Sequence, residues 1–159
     1  FSKAGASPVA LPGSEVFTAL DKGVVDAADY TVFATNQSQG MNDIAHYPLY
    51  PGFHSVPLID ISMTKSIWDE LPEDLKAILN ASVDKFIFQH VFSVRKLDAE
   101  AVAKAKENPE IEIINWSGDE RTKFRQIAQQ EWENWAGKTD MTQRYYDAVV
   151  SYLKGRNQL

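Results

Sequence analysis

PEDLKAILNASVDKFIFQHVFSVRKLDAEAVAKAKENP, residues 72 to 109, sets the frame for the rest of the chain. Pro72 suits the first position of a helix, where the N–H it lacks would have no partner. Leu75, Ile78, Leu79, Val83, Phe86, Val94, Leu97, Ala101 and Ala105 follow spacings built from three and four, and Asn108-Pro109 closes the run. The pattern predicts one helix of about 35 residues, roughly 50 Å at 1.5 Å per residue. A helix that long in a chain of 159 residues must overhang its domain or run along a second one.

Downstream, Ile111 to Trp116 reads as a strand. Ser117 caps a helix holding Phe124, Ile127, Ala128, Trp132 and Trp135, and Asp140 starts a last helix through Tyr152. Upstream, Ser66 to Leu71 is a short capped turn, and Val56 to Met63 alternates apolar and polar residues as a strand does. Between them and the N-terminus lies HYPLYPGFHSV, residues 46 to 56. Its two prolines withdraw backbone donors and bias the residues before them toward extended geometry. Neither regular helix nor central strand fits, so the stretch reads as a stiff, turned loop carrying aromatic and imidazole groups.

Earlier still, Pro8-Val-Ala-Leu11 is a short apolar run expected to be a buried strand. Ser14 looks like an N-cap for a helix bearing Val16, Phe17, Ala19 and Leu20, with Gly23 at the C′ position. Val24 to Val32 reads as extended, and residues 38 to 46 as a helical turn or two. Strands alternating with helices argue for an α/β arrangement. The sheet is thin for so much helix, and the long helix has no obvious partner. The chain looks like a piece of something larger.

Composition narrows the function classes. Sixteen basic against 22 acidic residues give a net charge of −6, and Lys154-Gly155-Arg156 is only a polar tail, which argues against nucleic acid as a partner. The 44% apolar and 24% charged fractions are those of a globular protein. Cysteine is absent, so disulfide and thiol chemistry are excluded. No apolar run approaches the length of a membrane span. Phe1 opens without methionine, a charged n-region or an apolar stretch, so no signal peptide is expected; a mature, trimmed or cytoplasmic chain would fit equally.

LPGSEVFTALDKGVVDAADY, residues 11 to 30, resembles a hallmark segment of the solute-binding proteins of TRAP transporters, the tripartite ATP-independent periplasmic systems. HYPLYPGFHSV is similar to that family's tyrosine-rich Pro-Gly-aromatic-His segment, and SIWDELPEDLKAILNAS, residues 66 to 82, resembles the opening of its long connecting helix. The three blocks come in the family's order and cover the chain nearly end to end. The nearest subgroup binds 2-oxo acids or lactate, in some cases as a metal carboxylate.

The resemblance implies the C-terminal lobe and long connecting helix of a two-lobed periplasmic binding fold. Residues 1–65 would form part of an α/β ligand-binding lobe, 66–108 the inter-lobe helix region, and 109–159 a strand plus C-terminal helices. It implies a periplasmic, non-enzymatic component that captures a small organic acid for the membrane subunits of a transporter, with C4-dicarboxylates as an alternative ligand class and a homodimer as one assembly. It also implies a C-terminal fragment: the arginine that usually clamps the ligand carboxylate, and a Gln/Asn pair, would lie before Phe1.

The same resemblance assigns the site. Asp29-Tyr30 occupies the place of an acidic residue followed by an aromatic, so Asp29 and the Tyr30 carbonyl would be ligands for Na⁺ or Ca²⁺, and the Tyr30 ring would wall the substrate. By base rate alone, Asp29 is a solvated carboxylate and Tyr30 a core ring. Phe53, His54 and Ser55 stand where the family places an aromatic, a histidine and often Glu or Gln. Ser55 can hydrogen-bond a substrate but is a weak metal ligand. His54 either helps neutralise a bound carboxylate or bonds a backbone carbonyl to hold the turn.

Other residues read as structural. Asp26 would accept turn amides, Asn36 to Gln39 would be a cleft loop or a helix cap, and His46 and His90 lack partners at metal-ligand spacing. Trp68, Trp132 and Trp135 sit at core spacing. A hydrolase using His54 with Asp29 would need a nucleophile elbow, a phosphate-cradling loop or a zinc-binding His-Glu helix, and none is present. A helical interaction module built on residues 72 to 109 is the remaining alternative.

Overall fold

The computed structural model describes residues 1–54 and 60–159. They form two compact units, one of residues 12–115 and one of residues 1–11 with 116–159. The first contains α1 (Gly13–Asp21), α2 (Phe33–Ser38), α3 (Met41–Ile44), α4 (Lys65–Glu70) and α5 (Glu73–Glu107). The second contains a 3₁₀ turn (Ser2–Ala4), α6 (Gly118–Ala136) and α7 (Asp140–Gly155).

The long helix forms as the periodicity requires, with 35 residues in α5. Pro72 is its N-cap rather than its first residue, and Lys76 N–H donates to the Pro72 carbonyl at 3.1 Å. The described buried contacts of α5 lie in its C-terminal third, while near its start Lys76 sits over the Trp68 ring of α4. Val102 and Ala105 are buried with Phe33 of α2, and Tyr50, Ala101, Ile111 and Ile113 pack around them. Asp98, one turn back, accepts the Ala34 N–H at 2.8 Å. The N-cap of α2, Val32, provides no side-chain bond, so a carboxylate from α5 takes over that task. Between residues 75 and 97, Leu75, Ile78, Phe86, Ile87, Phe88, Val91, Phe92 and Leu97 are exposed. The accessible surface of 12330 Å² compares with about 8,000 Å² for a folded monomer of this mass.

Helix α1 ends as expected. Gly23 has φ 64°, its N–H donates to the Leu20 carbonyl at 3.0 Å, and Val24 N–H reaches the Ala19 carbonyl at 2.8 Å. Both bonds of a Schellman stop are present, and glycine takes the left-handed position without Cβ strain. Its start differs from expectation. Pro12 holds extended angles (φ −56°, ψ 139°) and is the N-cap, so Ser14 falls inside the first turn and caps nothing. Ser66 likewise lies within α4 and does not cap it; the N-cap is Thr64.

The strand expectations fare less well. Residues 8–11 are irregular, with 8–10 exposed; residues 24–26 bend and 27–30 are irregular. Residues 60–63 are irregular too, while the rest of the expected strand at Val56 to Met63 lies outside the described residues. An apolar run becomes a strand only against another strand's free donors and acceptors. Among the described residues one such pairing forms, and it joins Ile111–Ile114 to the stretch the prolines seemed to forbid. Glu112 N–H donates to the His46 carbonyl (2.9 Å), Ile114 N–H to Pro48 (2.9 Å), and Tyr50 N–H to Ile114 (2.9 Å). This is a parallel ladder with one rung absent: a donor at residue 48 would face Glu112, but proline has none. Pro48 still offers its carbonyl. The result is a single parallel bridge, Leu49 with Ile114, instead of a strand, and the expected α/β sheet is not present among the described residues.

In the other unit both helices start with reciprocal caps. Ser117 Oγ accepts Glu120 N–H at 3.2 Å while Glu120 Oε2 accepts Ser117 N–H at 2.8 Å. Thr139 and Thr142 repeat the arrangement at α7. Phe1 and Trp116 both pack on Phe124, with centroids at 5.8 and 5.6 Å, and Lys3 pairs with Glu131. The tryptophans are less buried than their spacing suggested. Trp68 and Trp132 are half-buried, while Trp135 is 60% exposed, with Lys138 Nζ 3.1 Å from its ring centroid.

Candidate functional site

Two irregular segments of the 12–115 unit carry the expected site. One leaves the Schellman stop of α1 and reaches Asp29 and Tyr30. The other leaves the parallel ladder at Tyr50 and reaches Phe53 and His54. The fold brings them together: His54 Nε2 lies 3.0 Å from Asp29 Oδ2. The His54 side chain is 26% exposed and that of Asp29 56% exposed, so the pair sits at a surface with the imidazole on the inner side. Phe53 stands edge-on to the His54 ring, with centroids 4.5 Å apart and planes at 84°. The Tyr30 ring lies over the first turn of α1 at Gly13. Ser55 lies outside the described residues.

This arrangement offers an acceptor beside a potential donor. A carboxylate can only accept, whereas an imidazole N–H donates. Aromatic surface from Tyr30 and Phe53 stands next to both in sequence. What the described residues lack is a hard-cation shell. Na⁺ or Ca²⁺ takes six or more oxygens; here Asp29 is already against an imidazole, and no group of three or more His, Asp or Glu side chains suited to a metal occurs among the described residues. The donor set does not by itself fit a resident cation.

Other expected residues fall elsewhere. Asp26 is exposed and accepts no turn amide among the described residues. Asn36 is neither cleft loop nor helix cap: from within α2 its amide exchanges two bonds of 3.2 Å with the Thr31 backbone. His46 Nε2 is 3.0 Å from the Asp43 carbonyl at the end of α3, and His90 stacks on Phe86 at 5.2 Å along α5. Two surface hollows, of about 280 and 190 Å³, lie in the other unit, along α6 near Trp116 and Phe124 and between α6 and α7 near Tyr146. Neither contains a residue of the expected site. In the second, burial and the neighbouring Glu133 carboxylate push the Tyr146 hydroxyl above its ordinary value.

Two residues that hold the site region in place were not singled out from sequence. Gly13 lies under the Tyr30 ring, and Asp98 holds the start of α2. The Pro-Gly-Ser-Glu start of α1 was visible only as a helix boundary.

Residues 1–138 match the family described as bacterial extracellular solute-binding protein, family 7, and the chain belongs to that family. Its relatives are substrate-binding proteins of transporters, not enzymes. The chain superposes on an apo, open structure of a TRAP periplasmic solute binding protein from Rhodobacter sphaeroides with a TM-score of 0.78 and 50% identity, over 99% of this chain and 50% of that one. It is also 30% identical over 82 residues to a monocarboxylate 2-oxoacid-binding periplasmic protein of Nostoc sp., a match covering 51% of this chain and 22% of that protein. The chain therefore spans about half of the solved relative and about a fifth of the curated one. No helix among the described residues is long and apolar enough to cross a membrane.

Proposed function

We propose that this chain forms one wall of the ligand cleft of a periplasmic TRAP solute-binding protein, and that the ligand is a small 2-oxo or 2-hydroxy monocarboxylate. The observation that carries the reading is the 3.0 Å approach of His54 to Asp29. A keto oxygen takes a hydrogen bond from the imidazole, and the hydroxyl of a 2-hydroxy acid gives one to the Asp29 carboxylate. One pair can thus read both oxidation states of the same carbon skeleton. Tyr30 and Phe53 then provide apolar surface for the short alkyl end, and Ser55, outside the described residues, is proposed from the resemblance as a further hydrogen-bonding residue. The 2-oxoacid binding of the Nostoc relative supports this choice over C4-dicarboxylates.

The Asp29–His54 pair supplies no net charge when His54 is protonated, so it orients the ligand rather than clamping its carboxylate. The clamp belongs to the opposite wall, in keeping with the half-length coverage of the Rhodobacter relative. Closure of two such lobes is driven by the ligand's higher affinity for the closed state, and the membrane subunits receive that state. Thermal denaturation of the two-lobed protein in the presence of pyruvate, lactate, 2-oxobutyrate, succinate and malate tests the reading, because a ligand of the native state raises the midpoint. Monocarboxylates should raise it and dicarboxylates should not. A rise with succinate or malate alone would move the assignment to the C4 class, and no rise with any acid would count against the binding reading.

A further inference from the structure

We propose that Gly13 is a positioning residue for the ligand: its missing Cβ lets the Tyr30 ring seat on the first turn of α1, which fixes where the ring of the residue after Asp29 stands. The inference deepens the functional reading above and rests on it for the part that concerns ligand.

The identity of residue 13 needs explaining. Three of the eight glycines, Gly5, Gly23 and Gly40, have positive φ, where other residues are strained. Gly13 does not, so its backbone would accept alanine. It opens a regular helix, where alanine is preferred to glycine by helix propensity. Space supplies the reason. A Cβ on Gly13 would stand 3.2 Å from Tyr30 Cε2, 3.5 Å from its hydroxyl oxygen and 3.8 Å from Cζ. At Gly52, Gly118, Gly137 and Gly155, the others with ordinary backbone, an added Cβ meets nothing within 4 Å among the described residues. Gly13 is the one position where glycine is kept for contact, and the contact is the ring that follows Asp29.

The consequence is geometric. Tyr30 is partly exposed and is held on one side by α1. Adding a methyl group to the seat shifts the ring by a few tenths of an ångström, because 3.2 Å is shorter than ordinary carbon–carbon contact. Asp29 is the preceding residue, so any part of the shift taken up by the Tyr30 backbone reaches the carboxylate that meets His54. A site that sorts acids differing by one methylene is sensitive on that scale.

The experiment uses Gly13→Ala, Tyr30→Ala and the double variant in the two-lobed protein in which this chain would form one wall. Three readouts are taken: aromatic ring NMR of Tyr30, melting temperature, and relative affinity for pyruvate and 2-oxobutyrate. The expected result is that Gly13→Ala shifts the Tyr30 ring signals, leaves the melting temperature unchanged or raised, and alters the pyruvate to 2-oxobutyrate ratio by about threefold or more, with no such change in the Tyr30→Ala background. A structural role alone would not separate stability from selectivity in this way. Unshifted Tyr30 signals in Gly13→Ala overturn the seat, whatever the ligand. Shifted signals with an unchanged ratio, or the same ratio change without Tyr30, overturn its role in selection. If the unaltered two-lobed protein binds neither acid while the ring shifts, the seat stands, and both its use as a ligand wall and the functional reading fail.

Discussion

Removing the Asp98 carboxylate should detach the start of α2 from α5, and the size of the effect follows from what that oxygen does. It accepts the Ala34 N–H at 2.8 Å in a partly buried setting, and Val32 offers no side-chain alternative. Loss of a capping acceptor costs about 1 kcal/mol, and a buried donor left without a partner costs about 1–3 kcal/mol; these describe the same broken bond and are not summed. Asp98→Ala should therefore destabilise the 12–115 unit by about 1–2 kcal/mol. Phe33, adjacent to the cap and packed on Val102 and Ala105, transmits the loss into the core. Asp98→Asn keeps an acceptor oxygen and loses only the favourable charge at a helix N-terminus, about 0.3–1 kcal/mol. Urea denaturation with unchanged slope reads both numbers as midpoint shifts. An Asp98→Ala variant as stable as the parent would refute the capping role. So would Asp98→Asn losing as much as Asp98→Ala, since charge rather than hydrogen bonding would then be responsible.

Two further outcomes follow from the helices. The Ser117 N–H and hydroxyl bonded to Glu120 hold its carboxyl below the usual range; a carboxyl depressed in the folded state contributes its stability above the unfolded value and loses it as pH falls through the folded one. Protection of the α6 first-turn amides, relative to their intrinsic exchange at each pH, should fall in that acid window, and Glu120→Gln, which can keep the reciprocal cap, should flatten the dependence; an identical acid response in the variant would contradict this. Phe88 and Phe92 are 70% and 69% exposed, so changing both to Asp should alter stability by under about 0.5 kcal/mol per site. The same change should lower binding of an apolar dye, and a large loss of stability would show that the middle of α5 is covered.

The helices were legible because they depend on local spacing. The 35-residue run from Glu73, the Gly23 stop and the Ser117–Glu120 cap all follow from residues within a few positions of one another. Strands were not, because a strand is a relation between distant segments. Pro8 to Leu11 has the composition of one and no partner, while His46 to Tyr50 has prolines against it and still pairs, through carbonyls that proline retains. Trp135 shares a face with Trp132 by spacing yet lies in the last turn of α6, where Lys138 covers its ring and the core does not. At the site, the resemblance set Asp29-Tyr30 and the His54 turn on one side of a crevice, and His54 does lie against Asp29. The contact of Tyr30 with Gly13 and of Ala34 with Asp98 is tertiary information that no local pattern carries.

The central claim, that Asp29 and His54 act together on a small carboxylate, is tested most directly by following the His54 imidazole signals by NMR as pyruvate is added to the two-lobed protein carrying this wall and to its Asp29→Asn variant. The His54 resonances should move saturably in the parent and follow a weaker curve in the variant. Imidazole signals that stay fixed while pyruvate saturates resonances elsewhere would contradict it.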